Sequence, residues 1–247
     1  MAERLVNNFT VIESVYGKFV VNRHCTYQAE ALIKTGRPHI ENELRKILII
    51  VDSLPRECIV VDAGANIGLL SIPIARSLKG RGGTVHAFEA QRMMFYALCG
   101  SAVLNDLDNL HPHHAAVGLA PGRIGVATLD YSRPQDFGML SLTAQFDDRP
   151  KENVPLLSLD ALNLPRLDFL KIDVEGMEIE VLKGARSLLA RERPWCWVEY
   201  WKTGIEPIRA EFTNLGYKFY VMDKLNLLCA PPQRLVSAQF SIQAPEA

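Results

Sequence analysis

The 247-residue chain has no CxxC pair; its five cysteines, Cys25, Cys58, Cys99, Cys196 and Cys229, are scattered and odd in number. A disulfide framework and a structural zinc site are therefore not expected, and a reducing, cytoplasmic setting fits. An excess of either charge is also lacking. Lys and Arg total 27 against 28 Asp and Glu, a formal net charge of −1, so neither a nucleic acid nor a membrane surface is an expected partner. No apolar run approaches the ~20 residues of a membrane helix. The opening MAERLVNNFTVIES lacks the apolar core of a signal peptide. Asn8-Phe9-Thr10 matches a glycosylation sequon, which matters only in a secreted chain. No G-x-x-x-x-G-K-[ST] is present, which excludes a P-loop.

What is present is ordinary globular composition, 48% hydrophobic and 22% charged, in a length that suits one large core. Residues 9–22 alternate apolar and polar about Gly17 and predict a β-hairpin, and 40–52 carry apolar residues at helical spacing. Strands are expected at 58–61, 84–88, 112–117, 167–172, 195–200 and 217–222. Helices are expected at 67–79, 92–104, 177–191 and 206–215. Between 119 and 158 the alternation breaks, and two short β-like runs flank a polar stretch. That pattern reads as an inserted hairpin with a long loop. Strand–helix alternation with apolar strands predicts an α/β fold with a mainly parallel sheet covered on both faces.

In such sheets ligands lie at the carboxyl ends of the strands. The first of these ends is IVVDAGANIGLLS, residues 59–71. Gly64 and Gly68 permit close backbone approach, and Asn66 tolerates unusual dihedrals. The G-x-N-x-G spacing is not the dinucleotide fingerprint, and Asp62 is a poor neighbour for a pyrophosphate but suits a cationic or amine-bearing ligand. A tight strand-to-helix turn that merely needs glycine is the plainer alternative. Glu89, ending the next strand, is placed to accept hydrogen bonds from a ribose diol. S-Adenosylmethionine joins a ribose, a sulfonium and an ammonium without a phosphate.

VVDAGANIG, HAFEA, AAVG and above all FLKIDVEGMEIEVLKGA resemble the FkbM family of S-adenosylmethionine-dependent methyltransferases over roughly residues 36–199. The upstream GRPHIENEL and the in-loop FGMLSL sit where the family has similar stretches. The resemblance implies the class I methyltransferase (Rossmann-like) three-layer fold. Its seven-stranded, mostly parallel sheet has an antiparallel last strand, with LGYKFYVM and QFSIQ supplying the final strands. It implies that Asp62, Ala63, Gly64, Asn66 and Gly68 surround the methionine part of the cofactor, that Glu89 holds the ribose, and that Ala116 flanks the adenine. The family often has proline after the ribose acid, whereas Ala90-Gln91 follows here.

Asp173 and Glu175 stand two residues apart at a strand end, and in extended geometry both would point to one side. They are the candidate catalytic residues, as general base or substrate-orienting acid. The alternative is structural: Glu175 capping the next helix, and Asp173 paired with Lys171 or Arg186. Glu199 and Tyr200, at the end of the 195–200 strand, are candidate substrate-binding residues. His111-Pro112-His113-His114 fits no zinc template, and no metal is expected.

The expected function is methyl transfer from S-adenosylmethionine to a small-molecule acceptor, giving S-adenosylhomocysteine. The resemblance favours O-methylation of a hydroxyl in a natural product or sugar. Residues 1–57 and the loop 131–150 would roof the substrate, over a Rossmann-like domain at 58–247. N-methylation, aminobutyryl-chain chemistry releasing methylthioadenosine, and a non-catalytic cofactor-binding protein stay open, as does a homodimer.

Overall fold

The computed structural model describes residues 7–138 and 149–235. The chain opens with an antiparallel hairpin, β1 (Phe9–Ser14) and β2 (Gly17–Asn22), followed by helices α1 (Gln28–Thr35) and α2 (Glu41–Asp52). Next come β3 (Ile59–Ala63), α3 (Ser71–Lys79), β4 (Thr84–Glu89), α4 (Arg92–Leu104) and β5 (Leu110–His114). The insertion carries β6 (Ala116–Val117), β7 (Gly122–Ala127) and β8 (Lys151–Leu157). The chain continues through β9 (Phe169–Ile172), α5 (Glu178–Lys183), α6 (Arg186–Glu192), β10 (Trp195–Glu199) and α7 (Ile205–Glu211). The described residues end with β11 (Lys218–Val221), β12 (Asn226–Ala230) and the short helix α8 (Pro232–Leu235).

The central sheet has seven strands in the order β11-β12-β10-β9-β3-β4-β5. Strands β10, β9, β3, β4 and β5 are mutually parallel, and β12, the last strand in sequence, runs antiparallel to β10 and β11. Every side chain of β3 and β9 is buried, as a parallel strand covered on both faces requires. From β3 the chain winds outward to β5, then returns and winds the other way from β9. The switch point therefore lies between β3 and β9, where a ligand crevice is expected.

Two apolar layers cover the sheet. One packs Phe19, Val21, Leu44, Ile47 and Val51 of the N-terminal segment with Val60, Ile72 and Leu98. The N-terminal hairpin and helices thus share a core with the sheet. The other gathers Val61, Ile172, Val181, Leu188, Val198 and Ile208.

Three expectations need correction. The helix expected at 67–79 begins only at Ser71, because residues 64, 66 and 68 hold left-handed dihedrals in the preceding turn. The strand expected at 112–117 divides at Ala115, so that β5 joins the main sheet while β6 pairs with β8. The helix expected at 177–191 breaks at Gly184, where an added Cβ would fall 2.1 Å from the Gly118 carbonyl oxygen. Asp160 then caps α6, accepting hydrogen bonds from the amides of Ser187 and Leu188 at 3.0 and 2.8 Å. Among the described residues the last strand is NLLCA, residues 226–230; the expected strand QFSIQ lies outside the described residues.

Candidate active site

At the carboxyl ends of β3, β4, β9 and β10 the sheet opens into a cleft of about 470 Å³. Its floor carries Asp62, Gly64, Asn66, Glu89, Lys171, Asp173 and Glu199. Ala115, Ala116 and Val117 form a small apolar wall. Gln28, His39, Ile40 and Glu43 face it from the N-terminal segment, and Asp136 and Gly138 from the insertion.

The turn after β3 answers both readings of its glycines. Gly64 has φ +85, Asn66 φ +50 and Gly68 φ +90. A Cβ on Gly64 would sit 1.7 Å from the Asp173 carbonyl oxygen, so this glycine lets two strand ends meet. On Gly68 it would sit 2.7 Å from the Leu98 side chain, so that glycine serves packing against α4. Ala63 is a core residue whose carbonyl accepts from the Asp173 amide at 3.0 Å. Neither Ala63 nor Gly68 lines the cleft, whereas Asp62, Gly64, Asn66, Glu89 and Ala116 do.

Lys171 is the electrostatic centre. Only 4% exposed, its ammonium donates to the Gly64 carbonyl and to Asp173 Oδ2, each at 3.2 Å, and lies 3.6 Å from Asp62 Oδ1. Burial alone would lower its pKa, but Asp173, Asp62 and Glu43 outweigh that and hold it above the usual lysine range. Asp173 thus pairs with Lys171, while Arg186 pairs with Glu211. Asp62 accepts from the Ser71 hydroxyl through Oδ2, and its buried Oδ1 has no hydrogen-bond partner.

Two further acids are shifted up toward neutrality. Burial, then repulsion from Asp173, Asp223 and Asp62 against the pull of Lys171, pushes Glu43 up to about 7. Burial, followed by Asp173 and Glu175, pushes Glu199 up to about 8. Glu43 carries a signal that sequence reading passed over: it interrupts the apolar stripe Ile40, Ile47, Ile50 at helical spacing.

Glu89 accepts backbone hydrogen bonds from Asn66 and Gln91, each at 2.7 Å, and burial raises it to about 7. Four lone-pair sites on its carboxylate leave room for a diol. Gln91 also explains the departure at Ala90-Gln91. Its Nε2 donates to the Phe137 carbonyl at 2.7 Å, and fully buried Phe137 packs on Tyr131 with ring centroids 5.0 Å apart. The insertion is therefore latched to the carboxyl end of β4. On the wall, burial holds the His39 imidazole below its usual range against the pull of Asp136.

The extended geometry expected for Asp173 and Glu175 is not found. Strand β9 ends at Ile172, and Glu175 has φ +60. Both still line the cleft, Asp173 beside Lys171 and Glu175 in an ion pair with Lys202. Glu175 caps no helix; Glu178, the first residue of α5, braces the preceding loop, accepting from the amides of Val174 and Gly176 at 3.2 and 3.0 Å. Glu199 lines the cleft but Tyr200 does not. Tyr200 packs on the second core layer and donates its hydroxyl to the Asp223 carbonyl at 3.0 Å. His111 and His113 stack on His86 and do not line the cleft themselves, although His113 also stacks on the lining residue Phe88. Among the described residues no group of three or more metal-ligating side chains is placed to hold an ion.

These residues fit S-adenosylmethionine. A carboxylate-rich floor with an orphaned Asp62 oxygen suits a cation and disfavours a phosphate. The glycine turn exposes backbone, Glu89 offers acceptors for a ribose, and Ala115 to Val117 offer a flat apolar wall.

Residues 62–219 match the model of the methyltransferase FkbM domain. The chain is 30% identical over 204 residues to methyltransferase sdnD of Sordaria araneosa, covering 68% of this chain and 76% of that protein. It is 26% identical over 157 residues to methyltransferase 1 of Beauveria bassiana, covering 54% and 61%. The crystal structure of methyltransferase FkbM from Methylobacillus flagellatus superposes with a TM-score of 0.51 at 18% identity, covering 83% of this chain and 55% of that one. That likeness supports the fold. The match over most of the sheet and every strand end that builds the cleft shows that this chain belongs to the FkbM family of S-adenosylmethionine-dependent methyltransferases.

Proposed function

We propose that this methyltransferase acts on a hydroxyl of a small-molecule acceptor, in a natural product or a sugar. The observation that carries the proposal is Asp173, fixed by Lys171 on the cleft floor beside the glycine turn. When bound, S-adenosylmethionine supplies an electrophilic methyl group. Glu89 would accept from its ribose hydroxyls, Ala116 and its neighbours would flank the adenine, and Asp62, Gly64 and Asn66 would surround the amino-acid end. With one oxygen tied to Lys171, Asp173 keeps its other oxygen for an acceptor O–H, which it orients by accepting that hydrogen bond. Glu175 is held away by Lys202 and shapes the wall. The N-terminal segment and the insertion exclude water from above.

Asp173→Asn should cut turnover on a responsive hydroxylated acceptor at least about a hundredfold while cofactor affinity moves by less than about threefold. Equal losses would remove Asp173 from the acceptor side. Mass analysis of the coproduct separates methyl transfer, which leaves S-adenosylhomocysteine, from aminobutyryl chemistry, which leaves methylthioadenosine. The acid-rich floor would also hold an amine, so nitrogen acceptors belong in the same panel. All five cysteines are free, which supports a reducing, cytoplasmic setting. No helix among the described residues is long and apolar enough to cross a membrane. A homodimer is part of the proposal and is read by light scattering.

A further inference from the structure

The mouth of the cleft differs chemically from its floor. Three large side chains line it and remain open to solvent: Trp201 at 64% exposure, Tyr27 at 61% and Leu225 at 43%. They come from three separate segments, the loop after β10, the start of α1 and the turn between β11 and β12. Among the described residues Trp201 has no ring partner and no hydrogen bond. An exposed indole costs little on a floppy loop, but this loop is braced. The Tyr200 amide donates to the Leu225 carbonyl at 2.7 Å, and the Gly204 amide donates to the Tyr200 carbonyl at 2.7 Å. Tyr200 OH ties the same loop to Asp223, and Asp223 Oδ1 in turn accepts from the amides of Leu225 and Asn226 at 2.8 and 2.9 Å. The adjacent Lys202 is anchored to Glu175. Two apolar side chains are thus presented on linked, pinned backbones along the same cleft as Glu199 and Asp173. Large apolar groups held in place at a cleft mouth are the anatomy of a binding hot spot.

We propose that Trp201, with Tyr27 and Leu225, selects an acceptor that carries an apolar ring face, and that this face rests on the indole while the hydroxyl reaches the acidic floor. The proposal rests on the methyl-transfer reading of the same cleft. A polyol without an apolar face would leave Trp201 and Leu225 wet and would gain nothing from their placement. An apolar ring alcohol covers them and keeps one polar group for Asp173.

The probes are borneol, a non-absorbing bicyclic alcohol, and myo-inositol, a ring polyol. Trp195 and Trp197 are 1% and 0% exposed, so acrylamide quenching of tryptophan fluorescence reports on Trp201 among the three tryptophans of the chain. Borneol should shield that fluorescence saturably, with and without S-adenosylhomocysteine, and myo-inositol should not. By calorimetry Trp201→Ala should lose at least about tenfold in borneol affinity, with affinity for S-adenosylhomocysteine unchanged. Equal shielding by the polyol, no shielding by borneol, or undiminished borneol binding by the variant each overturns the proposal. Failure of S-adenosylhomocysteine to bind sinks the methyl-transfer reading instead, and the cofactor-free borneol arm still decides the role of Trp201.

Discussion

Cofactor binding should release protons, because the floor of the cleft holds more carboxyl groups than its single buried cation can balance. Asp62, Asp173, Glu43 and Glu199 all lie around Lys171. Glu43, at about 7 in the free protein against an ordinary 4.5, is mostly protonated at pH 6. A sulfonium placed beside it favours the ionised form and drives its pKa back down. The sign follows: binding expels a proton below pH 7, so affinity rises with pH until Glu43 is already ionised in the free protein. If the bound state restores the ordinary value, roughly 0.9 proton leaves per cofactor at pH 6, and the Kd there is about tenfold weaker than at pH 8. Calorimetry at pH 6, 7 and 8, in paired buffers of different ionisation heat, counts those protons directly. Glu43→Gln should lose that part of the pH dependence, keeping only the slope that Glu89 and Glu199 contribute. S-Adenosylhomocysteine, whose sulfur is neutral, should release fewer protons than the charged cofactor. A wild-type Kd that is the same at pH 6 and pH 8, with no proton released, would refute the charge argument outright.

Gly64→Ala should destabilise the fold by more than about 3 kcal/mol in thermal or urea unfolding, because its Cβ would collide with the Asp173 carbonyl. Lys171→Met should cost about 3–5 kcal/mol, since it strands Asp62 and Asp173 without their cation; a neutral result would show that the buried triad is electrostatically unimportant. The raised Glu89 and Glu199 bind protons in the folded chain that they do not bind when unfolded. Stability of the free protein should therefore fall as pH rises from about 4.5 to about 8, and Glu199→Gln should flatten the upper part of that fall in a pH series of melts. Gln91→Leu should weaken the latch on the insertion by about 1–2 kcal/mol, seen as faster amide exchange around Phe137 with the sheet unchanged.

Much of the fold is legible in the sequence because its strands are short continuous apolar runs ending in turn chemistry. The strand 84–89 and the helix 92–104 follow directly from such patterns. The errors share a cause. Helix α3 starts late because three left-handed residues belong to the turn, and the 177–191 helix breaks because Gly118 passes against Gly184. A contact between residues so far apart in the chain leaves no mark on local periodicity. Similarly, Tyr200 stands beside Glu199 in sequence, yet its ring belongs to the core and to the brace on Asp223. Its neighbour Trp201 is the one that reaches the cleft mouth.

The cleft divides along the same line. Its floor comes from strand ends, where motif and position coincide, so Asp62, Asn66, Glu89 and Asp173 can be named from sequence. Its walls and mouth come from residues 27–43, 136–138, 201–202 and 225–226, which meet only in the folded chain. Glu43 reaches Lys171 from a helix more than a hundred residues earlier, and Gln91 holds Phe137 from across the insertion. The floor is built from residues close to one another in the chain, which confines its chemistry to a few short motifs. The mouth must suit an acceptor, and nothing in the sheet constrains which segments supply it. In the proposed arrangement the glycine turn would hold the methyl donor, whereas the choice of acceptor would fall to side chains such as Trp201 that no motif contains.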